Sequence, residues 1–406
     1  MKFIDFNFDA RLQEGIEASN YNIATPVQAQ VIPHILAGKD IIASAQTGTG
    51  KTAAFLLPII HKILSQKHDP LSITCMIIVP TRELAIQIAQ HLEGLSYFTS
   101  ISSIPVYGGG DGNAFVQEKT ALSMGADFVV CTPGKMMSHI KMGYVKLDSL
   151  KYLVLDEADR MLDMGFYDDI NFIIQHLPKQ RQNLLFSATM PPKIRSLAKT
   201  ILHNPEEVSI SISKPAEKIK QFAFVVYDTQ KIPLIVYLLK TKNFKKVVVF
   251  CSSKLSVKQL TRDLVRNAVN AGEIHSDLDQ EQREETLIHF RSGRLPVLVA
   301  TDILSRGIDI DDIDLVINFD VPHDGEDYVH RIGRTARAEA DGTAYTLINE
   351  KEQRKFADIE HLIEKEVIKC AVPDELGEQP AYNVAAARSS GSFKKGKSFR
   401  GNKRVG

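Results

Sequence analysis

Short apolar runs alternate with longer stretches of helical periodicity along the first half of the chain. Residues 41–44, 75–79, 128–131, 152–155 and 183–186 read as strands, and 51–66 and 81–93 read as the helices after the first two. The pattern restarts in the second half, where 222–227, 246–251, 297–300, 314–318 and 342–348 read as strands. Continuous apolar runs are what strands buried on both faces require. Their alternation with helices predicts an α/β fold built twice, each half a parallel sheet flanked by helices. Residues 204–220, with Pro205, Pro215 and alternating Ser and Ile, read as a connector. The predicted organisation is a first domain over 1–208, a linker over 209–219, a second domain over 220–370 and a tail over 371–406. The tail's last 30 or so residues lack apolar periodicity, so they bury too little surface to offset the entropy of ordering and read as disordered.

Composition sharpens this picture at the tail. The 406 residues are 44% hydrophobic and 24% charged, as in ordinary globular chains of two or three domains. Lys+Arg and Asp+Glu number 49 each, yet seven cations (Arg388, Lys394, Lys395, Lys397, Arg400, Lys403 and Arg404) follow Gln379 with no acidic residue among them. Residues 1–378 therefore carry −7, and a basic tail on an acidic body predicts a polyanionic partner. Cys75, Cys131, Cys251 and Cys370 are far apart in sequence, which argues against a zinc knuckle or disulfide framework and for a reducing compartment. No apolar run approaches the roughly 20 residues of a membrane helix, and Met1-Lys2-Phe3-Ile4-Asp5 lacks a signal-peptide layout. The expected location is cytoplasmic, with no membrane partner.

Two segments carry chemistry on their own. Ala45-Gln46-Thr47-Gly48-Thr49-Gly50-Lys51-Thr52 follows a predicted strand and opens a predicted helix. Its GKT end matches a phosphate-binding loop: glycines let backbone N–H groups converge on phosphate oxygens at a helix N-terminus, Lys51 reaches the β/γ-phosphates and Thr52 holds Mg²⁺. Asp156-Glu157-Ala158-Asp159 ends the run 152–155. A carboxylate there supplies a second Mg²⁺ contact through Asp156, and Glu157 orients or deprotonates water. Together the two segments predict hydrolysis of a nucleoside triphosphate.

The letters D-E-A-D, with further motifs in order across about residues 1–350, resemble the DEAD-box ATP-dependent RNA helicases, and within them a bacterial RhlE-type helicase. Phe3 and 20–28, with Tyr21 and Gln28, resemble the family's Q motif, which implies ATP: Gln28 suits the adenine N6/N7 edge and Tyr21 suits stacking on the base. Pro80, Thr81 and Arg82 of PTRELA, Gly108-Gly109, and Thr132, Pro133, Gly134 and Lys135 resemble the RNA-contacting motifs, with Lys135 where Arg is usual. The resemblance implies coupling roles for Asp159, Ser187, Thr189 and His330, RNA contacts at Thr301 and Gly307, an ATP ribose contact at Asp309, and arginine fingers at Arg334 and Arg337. Residues 248–254 resemble motif IV, with Gln280 and Arg283 as its companion.

The resemblance implies two tandem RecA-like domains, ATP and Mg²⁺ as cofactors, and RNA bound with little sequence preference. It implies local separation of short duplexes or remodelling of RNA–protein complexes. An ATP-dependent RNA clamp and a DNA-translocating superfamily 2 helicase are the rival readings. Ribosome assembly and RNA decay are both settings of such relatives, and the sequence does not choose between them.

Overall fold

A computed structural model describes residues 1–45, 49–66, 72–109, 112–209, 219–242, 244–301, 313–322, 325–335 and 342–384. The chain forms two compact units, one built mainly from residues up to about 216 and the other mainly from those after it. The first holds β1 (Ile41–Ser44), β2 (Cys75–Ile78), β3 (Ser103–Val106), β4 (Phe128–Cys131), β5 (Tyr152–Leu155), β6 (Gln182–Ser187) and β7 (Glu206–Ser209). Among the described residues they form one seven-stranded sheet in the order β3-β4-β2-β5-β6-β1-β7, parallel throughout.

The apolar runs are continuous because both faces of this sheet are covered. Side chains alternate across a strand, so Ile41 and Ala43 join one buried cluster and Ile42 the other. Phe55 and Ile59 of the helix Lys51–Ser65 and Ile88 and Leu92 of Arg82–Leu95 cover the first face. Met136 of Pro133–Lys141, Ile173 of Tyr167–Gln175 and Leu197 of Pro192–Ile201 cover the second. Each fully buried side chain of this size contributes about 1.5–3 kcal/mol, so the polar loops at the strand ends stand on a rigid apolar platform.

The second unit repeats the plan with β8 (Ile219–Val225), β9 (Val247–Cys251), β10 (Ala271–Ile274), β11 (Val297–Thr301), β12 (Leu315–Asn318), β13 (Gly342–Ile348) and β14 (Ile368–Cys370). Its described strands run parallel in the order β10-β11-β9-β12-β13-β8-β14. The doubled α/β fold expected from the sequence is the fold observed.

Two expectations change. Residues 206–209, inside the expected connector, form β7, with Glu207 opposite Ile42 of β1. Only Val208 of this edge strand is buried, so it carries no apolar run. The rest of the connector, 210–218, lies outside the described residues. The tail expected from 371 also begins later, because 371–384 lies against the second unit. Gln230 Nε2 donates to the carbonyls of Leu376 at 2.8 Å and Glu378 at 2.9 Å. Gln353 donates to Ala381 O at 2.8 Å and accepts from Asn383 N at 2.7 Å, while Tyr382 donates to Glu360 at 3.1 Å. These side chains satisfy backbone groups that no sheet ladder serves. Residues 385–406, with all seven tail cations, lie outside the described residues.

Candidate active site

In a parallel α/β sheet the loops after the strand C-termini gather on one edge, where ligands bind. The first unit's strand order divides that edge in two. The loops after β5, β6 and β1 are neighbours and carry Asp156–Asp159, Ser187–Thr189 and the phosphate-loop sequence. The loops after β3, β4 and β2 are neighbours and carry Gly108-Gly109, Thr132–Lys135 and Pro80–Arg82.

On the first half, Gly50 caps the helix Lys51–Ser65 at φ 90°, a left-handed conformation that suits glycine. A methyl group there would fall 2.4 Å from Gln28 Nε2. That amide donates to Gly50 O at 3.1 Å, and its oxygen accepts from Thr25 N at 2.8 Å. Thr25 completes a capping box on the helix Pro26–Leu36. Gln28 thus lies at the loop, and reading an adenine edge requires it to exchange these two bonds. Phe3 is buried and stacks on Tyr21 with ring centroids 5.6 Å apart, so Phe3 supports Tyr21. Ala45 N donates to Ser187 O at 3.1 Å, and the buried Lys51 donates from Nζ to Ala45 O at 2.7 Å. Thr49 precedes Gly50, and Thr52 is the second residue of the helix. Gln46, Thr47 and Gly48 lie outside the described residues.

Asp156 follows β5 and is buried, and burial pushes its carboxyl up to about 6; the Lys51 cation opposes this and the Glu157 carboxylate adds to it. Glu157 adopts φ 51°, a conformation that costs a residue with a Cβ about 1–2 kcal/mol. It starts the helix Ala158–Asp163, and Arg160 Nη1 donates to its carboxylate at 3.2 Å. Asp159 joins the acidic motif to β6: its carboxylate accepts from Thr189 N at 2.9 Å, and its own N–H donates to Ser187 Oγ at 3.2 Å.

On the other half, Thr81 caps the helix Arg82–Leu95, its hydroxyl accepting from Leu84 N at 3.3 Å. Gly109 has φ 86°, a left-handed conformation that suits glycine, and the Arg82 guanidinium packs against it where a side chain would displace it. Thr132 stands at the N-cap of Pro133–Lys141 without a side-chain capping bond, and Pro133 takes the first turn. The TPG segment is therefore a helix start whose hydroxyl makes no cap. Lys135 Nζ lies 2.8 Å from Glu118 Oε2. Pro80 is buried just before Thr81, and Gly134 lies 3.7 Å, at its absent Cβ, from Asp169 Oδ2.

In the second unit Thr301 ends β11. His330 and Arg334 are buried at and just beyond the end of the helix Gly325–Ile332. The neighbouring Arg331 is structural: it donates to Asn318 Oδ1 at 3.2 Å and Asp320 O at 2.9 Å and lies 5.3 Å from the Phe250 ring. Asp320 in turn accepts from Ser252 N and Oγ, both at 2.8 Å. Gly307, Asp309 and Arg337 lie outside the described residues. No sequence signal marks Glu118, Lys231 or Asp320, single charged residues with partners distant in the chain, nor Arg160, whose partner Glu157 is one turn away. Lys231 is buried, donating to Phe319 O at 2.9 Å and Glu352 Oε2 at 3.3 Å.

Residues 25–197 match the DEAD/DEAH box helicase family, and 230–339 match the helicase conserved C-terminal domain. The ATP-dependent RNA helicase CshA of Listeria monocytogenes is 42% identical over 365 residues, covering 90% of this chain and 69% of that protein. The ATP-dependent RNA helicase DeaD of Haemophilus influenzae is 38% identical over 377 residues, covering 92% of this chain but 60% of that protein. The solved structure of S. cerevisiae Dbp5 bound to RNA and ADP BeF3 is similar at a TM-score of 0.81 and 28% identity, covering 91% of this chain and 95% of that one. Mss116p bound to ssRNA and AMP-PNP is similar at 0.80 and 26%, covering 92% and 80%. The RhlE-type refinement stays an expectation, since these relatives carry other names. The first unit's motif-bearing loops share one sheet edge and the likeness to CshA spans both units, so the chain belongs to the DEAD-box family of ATP-dependent RNA helicases.

Proposed function

We propose that this chain is an RNA-stimulated ATPase that locally separates short RNA duplexes or remodels RNA–protein complexes. The observation that carries this reading is the split edge of the first sheet, with the Asp159 bridge to Ser187 and Thr189 inside its nucleotide half. The adenine is read at Gln28 beside Tyr21, and the phosphates lie at Lys51 and the helix start. Thr52 and Asp156 suit Mg²⁺: a hydroxyl and a carboxylate are hard oxygen donors, and burial makes Asp156 costly to ionise without a nearby cation. Mg²⁺ there supplies charge neutralisation on the phosphates. Glu157, held by Arg160, orients and deprotonates the attacking water. Arg334 and Arg337 stabilise charge on the departing phosphoryl group.

RNA lies on Thr81, Arg82, Gly109, Thr132, Gly134, Thr301 and Gly307, through phosphate and sugar contacts that carry little sequence information. Ser187, Thr189, Asp159 and His330 link the two activities. The first domain runs through the end of β7 at 209, and the second extends through 384 on the contacts of Gln230 and Gln353. Among the described residues no helix is long and apolar enough to cross a membrane. The cytoplasm remains the proposed location on the cysteine argument, and partners in ribosome assembly or RNA decay remain open to pull-down.

The test is the ATPase rate with and without single-stranded RNA, with single-stranded DNA as the control polymer. Strong stimulation by RNA alone is expected. Equal stimulation by DNA would move the assignment to a DNA translocase, and ATP-dependent RNA binding without strand release would favour a clamp.

A further inference from the structure

Glu118 sits in the helix Gly112–Met124, away from every motif, yet it is buried. Its carboxylate meets both neighbouring RNA-side segments. Oε1 accepts from the N–H of Tyr107, the residue before Gly108-Gly109, at 3.4 Å. Oε2 lies 2.8 Å from Lys135 Nζ and 3.1 Å from His139 Nε2, one turn further along the helix that Thr132 starts. His139 is fully buried, stacks on Phe115 at 5.3 Å and bonds Tyr144 through its other nitrogen. Lys135 Nζ also lies 5.2 Å from the Phe115 ring centre. Burial pushes the Glu118 carboxyl up, but the bonds from His139 and Lys135 outweigh it and hold it below the usual carboxylate range.

Charge decides what Lys135 can do. An ammonium against a buried carboxylate forms a neutral pair, whose field at a phosphate largely cancels, whereas counterion release follows the net charge brought to the polyanion. Arginine at this place could hold a carboxylate with one edge of its fork and a phosphate with the other; lysine is a single point charge. We propose that Glu118 is a positioning residue that locks the Gly108-Gly109 turn to the Thr132–Lys135 helix start, with Lys135 as its counter-ion and not a phosphate ligand. The inference rests on the proposed RNA-binding role of those two segments and withdraws Lys135 from the direct contacts.

The experiment measures affinity for a single-stranded RNA across a salt series, in the presence of ADP and beryllium fluoride, for the full chain and for Glu118→Ala, Glu118→Gln, Lys135→Gln and Lys135→Arg. Glu118→Ala and Lys135→Gln are each expected to weaken binding about tenfold, the scale of a lost charged hydrogen bond; each leaves its partner's charge uncancelled, so the salt slope is read in the double variant Glu118→Gln/Lys135→Gln, where loss of a neutral pair should leave it unchanged. Lys135→Arg, which keeps the pair and adds a second edge for phosphate, should bind at least as tightly as the native chain. Glu118→Gln keeps the side-chain volume and should weaken binding in the same direction, which covers the case in which the alanine variant misfolds. A salt slope reduced by about 0.7 in Glu118→Gln/Lys135→Gln, the value for one phosphate on a single strand, would overturn the counter-ion role. Amide exchange over 107–109 tests the lock without RNA: it should accelerate in Glu118→Ala and Glu118→Gln, and unchanged exchange in both would overturn the lock. If the native chain binds no RNA, the functional reading fails while the exchange result still decides the lock.

Discussion

The two halves of the first sheet's ligand edge are held in different ways. The half proposed for nucleotide is fixed mainly by backbone-directed bonds: Gln28 to Gly50, Ala45 to Ser187, and Asp159 to Thr189. The half proposed for RNA adds side-chain contacts to its backbone bonds: Arg82 packed on Gly109 and the buried Glu118 with Lys135 and His139. Backbone bonds tie a loop to the sheet at one register, which suits chemistry that tolerates little displacement. Side-chain contacts can rearrange through rotamers, which suits a surface that must follow a polymer backbone. The comparison teaches that one platform of strands serves both tasks because its loops are pinned by different means.

The largest expected effect breaks the nucleotide half alone. Glu157→Gln removes the carboxylate proposed to activate water and should lower ATP turnover by about 10²-fold or more, with RNA affinity unchanged by filter binding. Next, Asp159→Ala removes the acceptor for Thr189 N–H and should lower RNA-stimulated duplex separation about tenfold, from loss of a charge-assisted bond. Its RNA-free ATP turnover should fall less, and a strand-displacement assay beside an ATPase assay separates the two.

The tail sharpens the RNA side of the comparison. A cut after Gln379, natural from charge alone, would also remove the bonds from Ala381, Tyr382 and Asn383 to the second unit. A chain ending at Val384 is the cleaner test. It should melt like the full chain and bind RNA more weakly at low salt. Seven cations lost from a single strand reduce the salt slope by at most about 5, and equal affinities at low salt would remove the tail from RNA binding.

The smallest effect concerns stability. The Asp156 carboxyl sits at about 6 in the fold against an ordinary 3.8. An acid raised on folding destabilises wherever it is ionised, so the cost is fully present above about pH 6 and disappears as pH falls below about 4. Asp156→Asn, measured without nucleotide, should therefore raise the unfolding free energy at pH 7 by about 1–3 kcal/mol. Urea denaturation at pH 7 and pH 5 checks it, since the gain should shrink at the lower pH.

Much of this architecture is legible in the sequence, and the exceptions have a common cause. Strands buried on both faces, such as 128–131 and 152–155, announce themselves as apolar runs. The unrecognised strands β3, β7, β10 and β14 are the four sheet edges, where one side is unpaired and burial is partial. β3 even carries Pro105, which an edge tolerates and a central strand does not. The roles of the motif residues are proposals, and their segments on the first sheet's edge are visible in the sequence as fixed local spacings. Glu118 was not, because it reaches its partners across 11 to 21 residues and looks like any helical glutamate. The order of the ordered C-terminal segment was hidden for the same reason: its partners Gln230 and Gln353 are distant in the chain.

The division of the edge is tested most directly by titrating RNA into the ATPase assay for the native chain, Glu157→Gln and Arg82→Ala. The account predicts that Glu157→Gln loses turnover at every RNA concentration. It predicts that Arg82→Ala keeps the maximal rate within about twofold while the RNA concentration for half-stimulation rises about tenfold, the scale of one lost charged contact. An Arg82→Ala chain with collapsed maximal turnover and an unchanged half-stimulating concentration would contradict the division.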